Sequence, residues 1–136
     1  MTQTLQKRRA GFTLVEIMIV VAIIALLAAI AVPNFMRARK RSQATRILND
    51  LRILDAACDQ YAMDNNKGSG STISFDDIKH YLKTGTILYS ATGTLPNDLL
   101  GNSYGPFTVD SIPKVPTSTF NSLSDVADNT FWSPYY

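Results

Sequence analysis

Sixteen consecutive apolar residues, Ile17 to Val32, follow Glu16 directly and end at Pro33. A helix that is hydrophobic on every side cannot be absorbed by a small soluble core; lipid or other helices must cover it. Counted from Phe12, the stretch to Val32 is 21 residues. As a helix it measures about 31 Å, the thickness of a hydrocarbon core. Glu16 is the only glutamate among 11 acidic residues, and the other ten are aspartates beyond Asn49. Its carboxylate stands where ionisation is most expensive, which marks it as functional.

Three readings of this segment compete. The first is a secretory signal, with Lys7, Arg8 and Arg9 as a basic start and Ala29-Ile30-Ala31 as a small-x-small cleavage site. Such signals have apolar regions of about 7–15 residues, and this one is longer and interrupted by a carboxylate. The second is a plain anchor with its amino end in the cytoplasm. Against it, Arg37, Arg39, Lys40 and Arg41 outnumber the three basic residues before the span, so the charge rule leans the wrong way. A plain anchor also gives Glu16 no task.

The third reading rests on Gly11-Phe12-Thr13-Leu14-Val15-Glu16, preceded by a short basic leader and followed by the apolar run with Pro33 as the 22nd residue from Phe12. This stretch resembles the class III signal of type IV pilins and pseudopilins. The resemblance implies that a membrane prepilin peptidase cuts between Gly11 and Phe12 and methylates the new Phe12 amine. Cleavage would remove Lys7, Arg8 and Arg9, lowering the basic count from 13 to 10 against 11 acids. It would also expose an amine with an ordinary pKa of about 7.7–8.0, able to be cationic at the membrane. A carboxylate in oil is tolerable when paired. Two partners are open to Glu16: the Phe12 amine of its own chain, four residues back, or that of a neighbouring copy. The neighbour is favoured, because such a pair would set the register of packed parallel helices. Pro33 lacks an N–H, so the Ala29 carbonyl loses its helical partner and the helix is expected to bend or fray there.

Beyond Pro33 the apolar pattern changes from continuous to periodic. Ala44, Ile47, Leu48, Leu51, Leu54, Cys58 and Tyr61 recur at three- and four-residue steps, with Asp50, Arg52, Asp55 and Asp59 expected outside. A single helix from Phe12 to about Asp64 spans about 80 Å, more than a domain of this size buries. Asn65 to Ser71 reads as a turn-forming linker. Ser74 and Asp77 form a capping box for a short helix over 75–83, with Phe75, Ile78, Tyr81 and Leu82 on its apolar face and Gly85 as its stop. Strands are expected at Thr86–Ser90, Tyr104–Asp110 and Thr130–Tyr136, forming an antiparallel sheet against the apolar stripe. Asp98-Leu99-Leu100-Gly101-Asn102-Ser103-Tyr104 is similar to a motif of the major pseudopilins of type II secretion, with departures at Leu99, Leu100 and Ser103.

The remaining features weigh against catalysis and against cofactors. The net charge of +2 is too small to argue for nucleic acid, and a nucleic-acid partner is not expected. Arg37-Ala38-Arg39-Lys40-Arg41 reads first as a contact with lipid phosphates or solvent, and next as a salt link to neighbouring heads. Cys58, the one cysteine, reads as a small core residue. His80, the one histidine, has no ligating partner nearby in sequence. Asp125, Asp128 and Asn129 fall short of a calcium shell, so no metal is expected. The aromatic end, Phe131 to Tyr136, reads as a final strand docked on the core.

The expectation is an α+β chain. A leader (1–11) is followed by a membrane and polymerisation helix (12–33), an amphipathic helix (34–64) and a small head (65–136). Its site residues are Gly11 and Phe12 for cleavage, Phe12 for methylation, Phe12 and Glu16 for assembly, and Pro33 for the kink. By resemblance it is a structural subunit of a pilus-like filament in the bacterial inner membrane, single-pass, with the amino end cytoplasmic and the head periplasmic. The secretion pseudopilus is favoured over an extracellular type IV pilus. Its partners would be other copies of itself, the peptidase/methyltransferase, an inner-membrane assembly platform and the bilayer. From a different class, the alternative is a monomeric, membrane-tethered binding module using the same export signal.

Overall fold

The computed structural model describes residues 11–136. The expected leader therefore lies outside the described residues except for Gly11. One long helix, α1 (Leu14–Asp64), leads the chain. It is followed by β1 (Thr72–Ile73), α2 (Phe75–Lys79), β2 (Phe107–Thr108), α3 (Thr117–Leu123) and α4 (Asn129–Trp132). The chain divides into two compact units, one ending at Met36 and the other spanning Arg37–Tyr136.

In the first unit every described residue is exposed. This half of α1 is long and apolar enough to cross a membrane. Helical structure continues through Pro33 without interruption.

The second unit has its core on the periodic half of α1. Ala44, Ile47, Leu48, Leu51, Leu54, Ala57 and Cys58 are buried, and Tyr61 is half-buried against them. Burial of each large aliphatic side chain contributes about 1.5–3 kcal/mol. Against the stripe pack Ile73, Phe75, Ile78, Leu82, Tyr104, Phe107, Leu123 and Trp132. Asp50 and Asp55 are half-buried rather than outward-facing, because Tyr104 and Tyr135 come down onto that side of α1.

The antiparallel sheet is present and has two short strands, Thr72 pairing with Thr108 and Ile73 with Phe107. Only the Tyr104–Asp110 expectation contains a strand. Thr86–Ser90 folds as turns, with the Thr86 hydroxyl accepting from Tyr89 N–H at 3.2 Å. Lys79 ties that loop down by donating to the Ala91 carbonyl at 3.1 Å. The Thr130–Tyr136 expectation fails for a local reason. Asp128 accepts from Phe131 N–H at 2.9 Å and caps α4, and a side-chain cap of this kind favours helix over strand.

The Ser74–Asp77 capping box is formed, but α2 ends at Lys79 with His80 as its exposed C-cap, short of residue 83. Gly85 (φ +84°) lies in a later turn instead of stopping the helix.

Candidate functional site

The start of α1 is built by two polar residues at the head of the apolar segment, Thr13 and Glu16. Thr13 N–H donates to Glu16 Oε2 at 2.8 Å and the Thr13 hydroxyl donates to the same oxygen at 3.0 Å. In return Glu16 N–H donates to Thr13 Oγ1 at 3.2 Å. This is a reciprocal capping box, which satisfies amides left over at a helix start. The sequence signal for this box is the Thr-x-x-Glu pattern of Thr13 to Glu16. Among the described residues Glu16 Oε1 accepts no hydrogen bond, so one carboxylate oxygen stays available. Phe12 precedes the box and is 86% exposed.

Past Met36 the basic cluster is turned to uses within its own unit. Lys40 Nζ reaches Asp125 at 2.9 Å. Arg41 donates to the Val126 carbonyl and lies 4.2 Å over the Phe131 ring. The hydrogen bond from Lys40 holds the Asp125 carboxyl below its ordinary range, and the positive charges of Lys40 and Arg37 add to the effect. Lys40 and Arg41 thus clasp the carboxyl-terminal segment to α1, a contact within the chain that the sequence reading did not include. The clasp and the α4 cap also engage Asp125 and Asp128.

The Asp98–Tyr104 motif forms a tight loop around a buried carboxylate. Asp98 Oδ1 accepts from Leu100 N–H at 2.8 Å and Asn102 N–H at 2.9 Å. Its Oδ2 accepts from the fully buried Thr119 hydroxyl on α3. Thr119 Oγ1 in turn accepts from the Asn102 amide at 2.9 Å. Gly101, at φ +85°, supplies the left-handed turn that closes the loop. Nothing in the sequence pointed to Thr119, whose partner lies 21 residues away.

Four further titratable groups sit on the seam between α1 and the head. Burial pushes the Cys58 thiol up to about 12, with Asp55 and Asp59 adding to the shift, so it is an inert core group. Burial likewise raises Asp50 and Asp55 above the ordinary carboxylate value. The buried Tyr104 hydroxyl lies beside the Asp50 carboxylate without a hydrogen bond of full geometry, and Asp98 and Arg46 are its other charged neighbours. The arrangement offers structural anchoring. Among the described residues no group of three or more His, Cys, Asp or Glu side chains is placed to hold a metal ion.

The model of the prokaryotic N-terminal methylation motif matches residues 6–32, which contain Gly11, Phe12 and Glu16. Type II secretion system core protein G of Escherichia coli K12 is 34% identical over 71% of this chain and 70% of its own length. The chain belongs to the type II secretion system core protein G family. Its counterpart in this family from Aeromonas hydrophila is 41% identical, over 46% of this chain. The core protein G match spans somewhat under half of the Aeromonas hydrophila and Klebsiella pneumoniae relatives, 45% and 44% of their lengths. A type IV major fimbrial protein of Dichelobacter nodosus is 35% identical over 71% of this chain and 55% of its own length. No solved structure matches the chain at a significant level.

Proposed function

We propose that this core protein G family member is a structural subunit of the type II secretion pseudopilus, made as a precursor and polymerised through its amino-terminal helix. One observation carries the reading. The whole described stretch before Lys40 is exposed although it is overwhelmingly apolar, so its stability requires a bilayer first and other helices afterwards. The peptidase cut between Gly11 and Phe12, with methylation at Phe12, frees an amine beside the Thr13–Glu16 box. Oε1 of Glu16 is the acceptor for that amine from a neighbouring copy, and the pair sets the register of the packed helices. The head faces the periplasm and the peptidase acts from the cytoplasmic side. Pro33 is the point at which the helix gives when the filament is strained. The partners are other copies, the assembly platform and the bilayer.

The capping box supplies a discriminating variant. Glu16→Gln keeps a box-forming side chain at the third helical position and removes the charge. Processing should be intact by amino-terminal sequencing, while filaments should be lost from sheared membrane fractions. Normal filaments from Glu16→Gln would reduce Glu16 to a cap, and a parent that forms no filaments would return the chain to a monomeric tether. The similarity to the Dichelobacter nodosus fimbrial protein supports a second reading, an extracellular type IV pilus. Filaments outside an intact outer membrane at native expression would favour it.

A further inference from the structure

The basic cluster that opens the second unit divides in two. Lys40 is committed to Asp125, the one ion pair among the described residues, and Arg41 to the Val126 carbonyl and the Phe131 ring. Arg37 and Arg39 are exposed and make no hydrogen bond or ion pair among the described residues. Arg37 reaches Asp125 only through the field of its charge. Arg46 and Arg52 make no such bond either, so it is position that sets Arg37 and Arg39 apart.

They stand five and seven residues past Val32, where the apolar run ends. At helical rise that is about 8 and 11 Å beyond the edge of a hydrocarbon core. The headgroup layer is about 5–7 Å thick on each side of a bilayer, and its charge is felt for about 8 Å more at physiological salt. Arg46 and Arg52 are fourteen and twenty residues past Val32, about 21 and 30 Å out, and so beyond its reach. An arginine stem can also fold back along apolar surface and carry its head to the interface. The angle between the two adds a second constraint. Two positions on a helix are about 200° apart around the axis and about 3 Å apart along it, so Arg37 and Arg39 leave opposite sides at nearly one depth. A protein neighbour covers one side of a helix, whereas a lipid leaflet surrounds it. The clasp contributes as well, because Lys40 neutralises Asp125, an acid that would otherwise oppose an anionic surface.

We infer that Arg37 and Arg39 form a collar for the phosphates of anionic phospholipids in the head-side leaflet. A guanidinium is always charged and offers paired N–H donors to phosphate oxygens. The inference rests on the reading of the apolar half as a membrane span and gives that span a partner of stated charge. Each arginine at this depth strengthens attraction to an anionic leaflet about fivefold. The collar holds a subunit at one depth in the lipid, and its contacts break when the subunit leaves the bilayer for a filament.

Native mass spectrometry of the full-length, processed protein in detergent tests this, with phosphatidylglycerol or phosphatidylcholine of the same acyl chains added. The parent should take up phosphatidylglycerol in preference. Arg37→Gln and Arg39→Gln should each lower that preference about fivefold, and the double variant should lose it. Arg46→Gln and Arg52→Gln should leave it unchanged, and Arg39→Lys, which keeps the charge, should retain most of it. Head unfolding, followed by Trp132 fluorescence, should match the parent in Arg39→Gln, which separates lost binding from misfolding. Inorganic phosphate should not displace the lipid; displacement would assign the two cations to a free anion and overturn the collar. Equal uptake of both lipids by the parent, or a folded double variant that keeps the preference, would overturn it too and leave these side chains to a protein partner. Alkaline carbonate washing of native membranes separates the two failures. A chain released by the wash brings down the membrane-span reading, whereas a chain that stays embedded without a lipid preference brings down the collar alone.

Discussion

The two halves of α1 are one helix with opposite relations to solvent. Between Leu14 and Met36 no residue is buried, and Ile24, for example, is 60% exposed. Between Ala44 and Cys58 seven residues are buried, and Leu51 is wholly so. Composition does not separate a residue like Ile24 from one like Leu51; pattern does. Apolar side chains on every face leave no polar face for solvent, and among the described residues the whole first half is exposed. Apolar side chains on one stripe leave the rest of the helix surface to polar groups, and let a small head cover the stripe. A single continuous helix can thus present one region to oil and copies and another to a domain.

The comparison breaks or holds on a pair of truncations. Leu51→Ala should destabilise the head by about 2–5 kcal/mol, and Ile24→Ala should leave head unfolding unchanged. Thermal unfolding in detergent, followed by the fluorescence of Trp132, the only tryptophan, measures both. An equal loss from Ile24→Ala would mean that the apolar half supports the head.

A smaller effect sharpens the account of the buried network. Thr119→Val removes the hydroxyl that Asp98 and Asn102 share, and should cost about 1–3 kcal/mol by denaturant unfolding. Smaller again is Ser74→Ala, which removes the acceptor for Asp77 N–H and should cost about 1 kcal/mol.

The smallest effect is in pH dependence. Burial raises Asp50 in the folded state above its ordinary value of 3.8. The folded chain therefore binds that proton more tightly than the unfolded one, and the contribution of Asp50 to stability is fully present below pH 3.8 and lost as pH rises through the folded value. Asp50→Asn should raise the unfolding midpoint near neutral pH, with the gain shrinking as the solution is acidified toward 3.8. A gain that grows on acidification would reverse the assignment.

Several elements were legible because their signals are local. The stripe from Ala44 to Cys58 follows helical periodicity, and Ser74 with Asp77 is a capping pair within one turn. The helix start at Thr13 is equally local, a Thr-x-x-Glu pattern within one turn. The strands expected at Thr86–Ser90 and Thr130–Tyr136 failed for another reason. Strand propensity reports fit to a half-buried pleated surface, and neither segment has a partner strand. Lys79 holds the first loop down, and Asp128 starts a helix in the second.

What the amino-acid order determined by itself was the sorting of the chain: an apolar helix that its own head cannot cover, an amphipathic continuation, and a junction at Gly11-Phe12 with one acid four residues on. These follow from periodicity and from the cost of water on apolar surface, both local properties. Only the tertiary structure decided which charges were already taken. Lys40 meets Asp125 across 85 positions of sequence and Thr119 meets Asp98 across 21. Such pairs form because the core packing of α1 and the head brings those groups together, and no local pattern encodes that distance.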